Sequence, residues 1–231
     1  MSRGERIDGL LGLEPRVPLR RGPGRVTFLW RSPEGVVAVV KRTRGGGGRV
    51  EFENLRLLAA AGLSVPRVLA VGSGVGRSLV VMERVAHSET LAERLGREGP
   101  AEQRRLGAEL LGLVLALHDL GWSHRDLYLE HFLLREGDGA LVLIDLGRAR
   151  RRRRRRWFEK DLAALLHSTP ASVSSASRLR FLAAYLDRRG VRGRRRRRRW
   201  LAAVVARERR MAAHVPRGGE SPAEPVIEEG P

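Results

Sequence analysis

The chain has 231 residues, enough for one modest domain or two small lobes around a buried core. It contains no cysteine, which excludes a disulfide framework and any thiolate metal site. Its formal net charge is +19, and 43 of its 45 cationic side chains are arginine; a GC-rich genome accounts for that bias, so Lys41 and Lys160 stand out as positions that kept an ammonium.

Residues 1–20 hold no clear motif and are expected as an N-terminal extension, with no apolar run in Met1–Leu13 long enough for a signal peptide. Val26–Trp30 and Val36–Val40 read as strands joined by the turn Arg31-Ser32-Pro33-Glu34-Gly35. Arg21-Gly22-Pro23-Gly24-Arg25 lacks G-x-G-x-x-G and reads as a plain turn. Gly45–Gly48 is followed by no Gly-Lys-Ser/Thr, so it is expected as a flexible linker between strand and helix rather than a phosphate loop. Val50–Ala61 reads as a helix with Phe52, Leu55, Leu58 and Ala59 on one face and with two acids, Glu51 and Glu53. Val65–Val71 and Ser78–Met82 read as further strands, leading into Met82-Glu83-Arg84-Val85. Ser88 is expected to cap a short helix, Glu89–Leu95. Pro100 opens a long helix to about Leu120, with Leu106, Leu110, Leu113, Val114 and Leu117 as its buried stripe. Its apolar part, Leu106–His118, is broken by Glu109 and too short to span a bilayer, so a soluble cytoplasmic protein is expected.

The next stretch carries the chemistry. Ser123-His124-Arg125-Asp126-Leu127-Tyr128-Leu129-Glu130-His131-Phe132-Leu133-Leu134 is followed by a strand, Ala140–Ile144, and by Asp145-Leu146-Gly147. Phosphoryl transfer needs a carboxylate near the acceptor hydroxyl and ligands for magnesium bridging the phosphates. His-Arg-Asp, a spacer, a ligand candidate, a strand and Asp-x-Gly is the order of a protein-kinase-like catalytic centre. Asp126 is then the candidate base, His131 and Asp145 the candidate metal ligands, and ATP with Mg2+ the cofactors. Kinases usually carry Asn where His131 stands and Lys where Tyr128 stands. Magnesium prefers oxygen ligands, so His131 has the alternative of bonding Asp126 or a phosphate. His124 and Arg125 are expected to support the loop rather than react. A chance tripeptide in an arginine-rich chain is the plain alternative, and the ordered features around it argue against chance.

The run His-Arg-Asp-Leu-Tyr-Leu-Glu-His-Phe-Leu-Leu resembles the catalytic loop of the lipopolysaccharide kinases, which phosphorylate Kdo or heptose sugars in the inner core of bacterial outer-membrane glycolipid. Asp-Leu-x-Arg, ending at Arg148, and Phe158-Glu159-Lys160-Asp161-Leu162 also look like that family, and the resemblance runs from roughly Val36 to His214. It implies a two-lobed, protein-kinase-like α+β fold with an N-lobe over 21–85 and a C-lobe over 86–214. It implies that Lys41 contacts the α and β phosphates, the plain alternative being a surface lysine at a strand end. It favours Glu51 over Glu53 as the partner of Lys41 and assigns the backbone of Glu83 and Val85 to adenine. It also puts His131 in the metal-ligand position with Asp145. Asp161 would steady the catalytic loop, unless it is an ordinary acid at a helix N-terminus.

Arg150–Arg156 and Arg194–Arg199 are unbroken arginine runs, each followed by a tryptophan, Trp157 and Trp200. They read either as solvated surface, the first run being a disordered loop, or as a docking surface for anions. An anionic inner leaflet attracts basic residues by roughly 1 kcal/mol each. Nucleic acid is attracted by the same physics, but the resemblance favours a lipopolysaccharide core sugar or lipid A–Kdo precursor at the inner face of the inner membrane. Ser175–Arg189 and Arg194–His214 read as helices, and 215–231 as a disordered tail. The expected function is ATP-dependent phosphorylation of a Kdo or heptose hydroxyl. One rival is a RIO-type kinase acting on protein. The other is a catalytically inactive kinase-like protein that docks on an anionic membrane or polymer through its arginines.

Overall fold

The computed structural model describes residues 3–15, 17–213 and 227–229. The chain divides into two compact units, Met1–Val85 with Asp145–Gly147 and Arg217–Pro231, and Ala86–Ile144 with Arg148–Pro216. The first is built on a sheet and the second mainly on helices, the α+β division that a kinase-like chain requires.

The first unit runs α1 (Arg3–Gly12), β1 (Arg20–Gly22), β2 (Arg25–Arg31), β3 (Val37–Arg44), α2 (Gly47–Ala60), β4 (Val68–Gly74) and β5 (Arg77–Glu83). Its strands lie in the order β1-β2-β3-β5-β4, each antiparallel to its neighbour. Alternation along β3 decides which face each residue serves. Ala38, Val40 and Arg42 are buried on one face, while Val37, Val39 and Lys41 point to the other. The first face packs with Phe28, Leu79 and Val81 against Leu10 and Leu11 of α1. The sequence predicts no helix here, because α1 makes sense only against a sheet that forms later in the chain. Buried Arg42 donates to Leu11 O at 3.0 Å and pairs with Glu14 at 2.6 Å. A cation at a helix C-terminus is favourable, and this one ties α1 to the sheet.

The Lys41 face belongs to α2, which packs on β3, β4 and β5. The glycines before it are not a flexible linker, because α2 already begins at Gly47. A Cβ on Gly48 would lie 2.7 Å from the Leu79 carbonyl carbon. Ser78 Oγ accepts the Gly48 N–H at 2.9 Å and donates to Gly45 O at 2.6 Å. Glycine is there for close approach of helix to strand. Arg21–Arg25 is the β1–β2 hairpin, with Gly24 at φ 70°.

The second unit runs β6 (His87–Thr90), α3 (Leu91–Arg97), α4 (Pro100–Asp119), β7 (Trp122–Ser123), β8 (Phe132–Arg135), β9 (Leu141–Leu143), β10 (Arg150–Arg151), α5 (Arg155–Ser168), α6 (Ser175–Arg188) and α7 (Arg194–Ala212). Small sheets form in the orders β6-β8-β9 and β10-β7. Thr90, not Ser88, caps the short helix. Its hydroxyl accepts from Glu93 N and the Glu93 carboxylate accepts from Thr90 N, a reciprocal capping box. Leu106, Leu110, Val114 and Leu117 of α4 are buried as expected, with Leu115 in place of Leu113. The first arginine run is not a loop throughout: Arg150 and Arg151 pair with β7, and Arg155 opens α5.

A last strand, β11 (Ile227–Glu229), returns to the first unit and runs parallel to β2. The expected disordered tail is corrected at those three residues, where Glu228 is buried and its carboxylate accepts from Val17 N. Its other residues, 215–226 and 230–231, lie outside the described residues, as does His214. No described helix is long and apolar enough to cross a membrane.

Candidate active site

In the first unit, strand alternation aims Lys41 at α2, and Glu51 faces it from the second turn of that helix. Lys41 Nζ donates to Glu51 Oε1 at 2.7 Å and to Asp145 Oδ1 at 3.0 Å. The side chains of Lys41 and Glu51 are 17% and 4% exposed. Burial disfavours the ammonium, but the Glu51 and Asp145 carboxylates outweigh it and hold Lys41 above the ordinary lysine value of 10.5. Glu53 pairs instead with Arg56 at the surface. Arg20 approaches the other Asp145 oxygen at 4.0 Å.

Asp145 is seated by its own neighbours. Asn54 Nδ2 donates to Leu146 O at 2.7 Å. A Cβ on Gly147 would lie 3.1 Å from Glu51 Oε2, so glycine leaves room for the acid. The sequence alone assigns Asn54 no role. Its signal was available, because it is the only asparagine in the chain. Glu83 sits at the end of β5, where its N–H donates to Arg67 O and its carboxylate accepts from Arg67 N, both at 2.9 Å. Val85 is the last residue of the unit before the chain passes into the second.

In the second unit, Asp161 of α5 organises the loop from within the core. It is fully buried. One oxygen accepts the Arg125 N–H at 2.7 Å; the other accepts the His124 N–H at 2.8 Å and His118 Nε2–H at 3.2 Å. The His118 tautomer follows from that network, with Nδ1 accepting from Tyr185 Oη at 2.8 Å. Burial pushes the Tyr185 hydroxyl well up, which keeps it a donor. His124 Nε2 donates to Ile144 O at 3.0 Å. Arg125 and Asp145, at φ 77° and 61°, are the non-glycine residues with positive φ among the described residues. Such a conformation costs of order 1–3 kcal/mol and persists where surrounding contacts dictate it.

Asp126 presents a carboxylate that is 22% exposed. Arg148 Nη1 lies 2.7 Å from one oxygen and Lys160 Nζ 3.8 Å from the other. His131 Nδ1 donates to the backbone carbonyl of Asp126 at 2.8 Å, so any metal contact by this ring runs through Nε2. The structure thus brings Lys41, Glu51 and Asp145 together in one unit, and Asp126 and His131 in the other. Among the described residues no three His, Cys, Asp or Glu side chains cluster to share a metal. Magnesium does not need that many, since it keeps waters and binds through one or two carboxylates plus phosphates. Asp145 offers such a carboxylate.

The arginine runs are also organised. Arg125, Arg152 and Arg156 stack over Trp157 at 5.5, 6.0 and 5.0 Å, and Arg155 stacks over Trp200 at 5.1 Å. Because α5 packs on α7, the end of the first run meets the end of the second.

Comparison with known proteins adds a family to this geometry. The model of the lipopolysaccharide kinase (Kdo/WaaP) family matches residues 43–185, a range that holds Glu51, Glu83, Val85, Asp126, His131, Asp145 and Asp161 but not Lys41. The lipopolysaccharide core heptose(I) kinase WaaP of Pseudomonas aeruginosa is 34% identical over 161 residues, covering 62% of this chain and 60% of that protein. The protein of the same name from Escherichia coli is 40% identical over 75 residues, covering 29% of this chain and 28% of that protein. The chain therefore spans about 60% of the length of the Pseudomonas relative and less of the other.

Proposed function

Because the chain belongs to the lipopolysaccharide kinase (Kdo/WaaP) family, we propose that it transfers the γ-phosphoryl group of ATP to a sugar hydroxyl of the lipopolysaccharide inner core. The observation that carries this reading is the buried Lys41 ammonium held between Glu51 and Asp145. An isolated lysine at that depth would lose its charge; two carboxylates keep it cationic and fix its direction. Lys41, oriented by Glu51, would contact the α and β phosphates. Asp145 would hold magnesium, with His131 contributing through Nε2, and the ion would neutralise charge on the phosphates. The backbone of Glu83 and Val85 would bond adenine. Asp126 would take the proton of the acceptor hydroxyl as its oxygen attacks phosphorus, while ADP leaves with the electrons of the broken P–O bond. Heptose is favoured over Kdo by the names of the two relatives.

The arginine face would carry the chain to its anionic substrate at the inner face of the inner membrane. Both α5 and α7 have arginines and no acids in their first turns. Each such cation opposes the helix dipole by about 0.3–1 kcal/mol, a cost that bound anions would relieve.

Transfer of radiolabelled phosphate from ATP to a heptose-bearing Kdo–lipid A acceptor tests the reading. Wild type should label the acceptor, and Asp126→Ala should lower the rate about 10²–10⁴-fold, the usual range for a lost general base, with the fold intact. Asp126→Ala at wild-type rates would refute the assignment. Label on protein alone would favour the RIO-type reading. Binding to anionic vesicles that collapses with salt, without nucleotide turnover, would favour the inactive docking protein.

A further inference from the structure

We propose that Lys160 supplies the phosphate-facing cation of the catalytic loop, the charge that kinases usually place two residues after the base. The assignment rests on the kinase reading and adds a residue to it.

Position 128, where that charge belongs by sequence, cannot provide it. Tyr128 packs its ring against His131 and His167, with centroids 6.0 and 6.4 Å away. Burial and the Asp126 charge push its hydroxyl above the ordinary value, so it stays neutral. Phosphoryl transfer nonetheless spreads negative charge over the equatorial oxygens beside the base, and positioned cations stabilise that charge most.

Two cations reach Asp126, and their geometry separates them. Arg148 makes a direct contact of 2.7 Å from a side chain that is 58% exposed. Its guanidinium is committed to the carboxylate. Lys160 stands 3.8 Å from the other oxygen, beyond hydrogen-bond length, and its side chain is only 26% exposed. Its three donors are therefore not used by Asp126, yet its charge lies where the base accepts a proton. The placement is rigid for a physical reason. Asp161, the next residue on α5, holds the His124 and Arg125 amides at 2.8 and 2.7 Å. The same helical turn that fixes the loop backbone thus fixes Lys160 beside the base.

Residue choice points the same way. Arginine fills 43 of 45 cationic positions, and Lys41, the other exception, sits in the first-unit cluster. An ammonium is a compact charge that meets a tetrahedral phosphoryl group from one point, whereas a guanidinium forks. Burial, reinforced by Arg148 and Arg125, pulls Lys160 below the ordinary lysine value against Asp126 and Asp161, so a further anion beside it would be welcome. In the step, the acceptor proton goes to Asp126 and the leaving electrons go to ADP. Lys160 keeps its own proton throughout and neutralises the moving phosphoryl oxygens.

The test compares wild type, Lys160→Met and Lys160→Arg in the whole 231-residue chain. The readouts are steady-state transfer to the heptose-bearing acceptor, MgATP calorimetry and thermal melting. Lys160→Met should lower kcat about 100-fold, as loss of one charge-stabilising donor does. Its KM for ATP, MgATP affinity and Tm should stay close to wild type. Lys160→Arg should recover about tenfold of that loss, because it returns the charge without the shape. A Lys160→Met protein within about threefold of wild-type kcat overturns the assignment, since removal of a stabilising charge is worth far more. Equal losses in both variants that track a lower Tm overturn it too, because they describe a structural lysine. A wild type that binds MgATP but phosphorylates neither heptose nor Kdo acceptors overturns the kinase reading, and this assignment with it.

Discussion

The clusters around Lys41 and around Asp126 use the same residue types to opposite ends. At Lys41 the ion contacts are 2.7 and 3.0 Å, and the side chains are between 4% and 26% exposed. At Asp126 they are 2.7 and 3.8 Å, and exposure rises to 58%. A closed cluster behaves as one body, since removing a member leaves a buried charge with too few partners. An open one is screened by water, and such pairs contribute about 0–1 kcal/mol. Lys160, 3.8 Å from Asp126, can turn to a ligand at little cost. The first cluster therefore suits holding and orienting, and the second suits reacting.

The largest effect that would sharpen this contrast lies beneath the open cluster. Asp161→Ala leaves two loop amides and His118 without their shared acceptor. It should destabilise the protein by about 3–9 kcal/mol, from about one to three for each of the three unsatisfied groups, and abolish transfer; urea unfolding and activity together check this. Glu51→Ala should cost about 2–3 kcal/mol, less than a fully broken buried pair because Asp145 remains. The loss of stability in Lys41→Met should follow pH in a definite sense. A lysine raised on folding stabilises fully below its unfolded value of 10.5 and loses that contribution as pH rises through the higher folded value. The stability gap between wild type and Lys41→Met should stay flat to about pH 10 and narrow only above it, as urea titrations across pH would show. A gap that closes at neutral pH would place the two clusters in one class. The smallest effect is at the arginine face. Arg194→Glu in the first turn of α7 should raise stability by about 0.3–1 kcal/mol while weakening binding to anionic vesicles. A lower Tm would show that the run serves the fold.

How much of this was legible depended on sequence distance. The catalytic loop and Asp145 are legible because their residues form a local pattern; a strand followed by a helix offers both Glu51 and Glu53 to Lys41, and only the family resemblance singles out Glu51, the acid that Lys41 contacts. Helix α1 was not readable, since Leu10 and Leu11 find their partners on strands that come later. Gly47 and Gly48 looked like a linker because glycine is a poor helix former; only the approach to Leu79 shows why glycine is needed. Thr90 and Glu93 were a missed local signal, a capping box one step beyond Ser88. The contact of Lys160 with Asp126 joins α5 to the loop, and no local pattern encodes it. Its traces in the sequence are a lysine in a chain that otherwise chooses arginine and its place in the family-like stretch Phe158–Leu162, and neither points to Asp126.

The most direct test of the central claim is calorimetric titration of ATP into wild type and Lys41→Ala, with and without magnesium. It should be run at about 0.3 M salt, where attraction to the arginine runs is screened over less than about 8 Å. Wild type should bind ATP saturably and more tightly with magnesium, and Lys41→Ala should lose that binding. Binding that vanishes at this salt, or that ignores the substitution, would contradict the kinase reading and leave a cationic docking protein on a kinase-like fold.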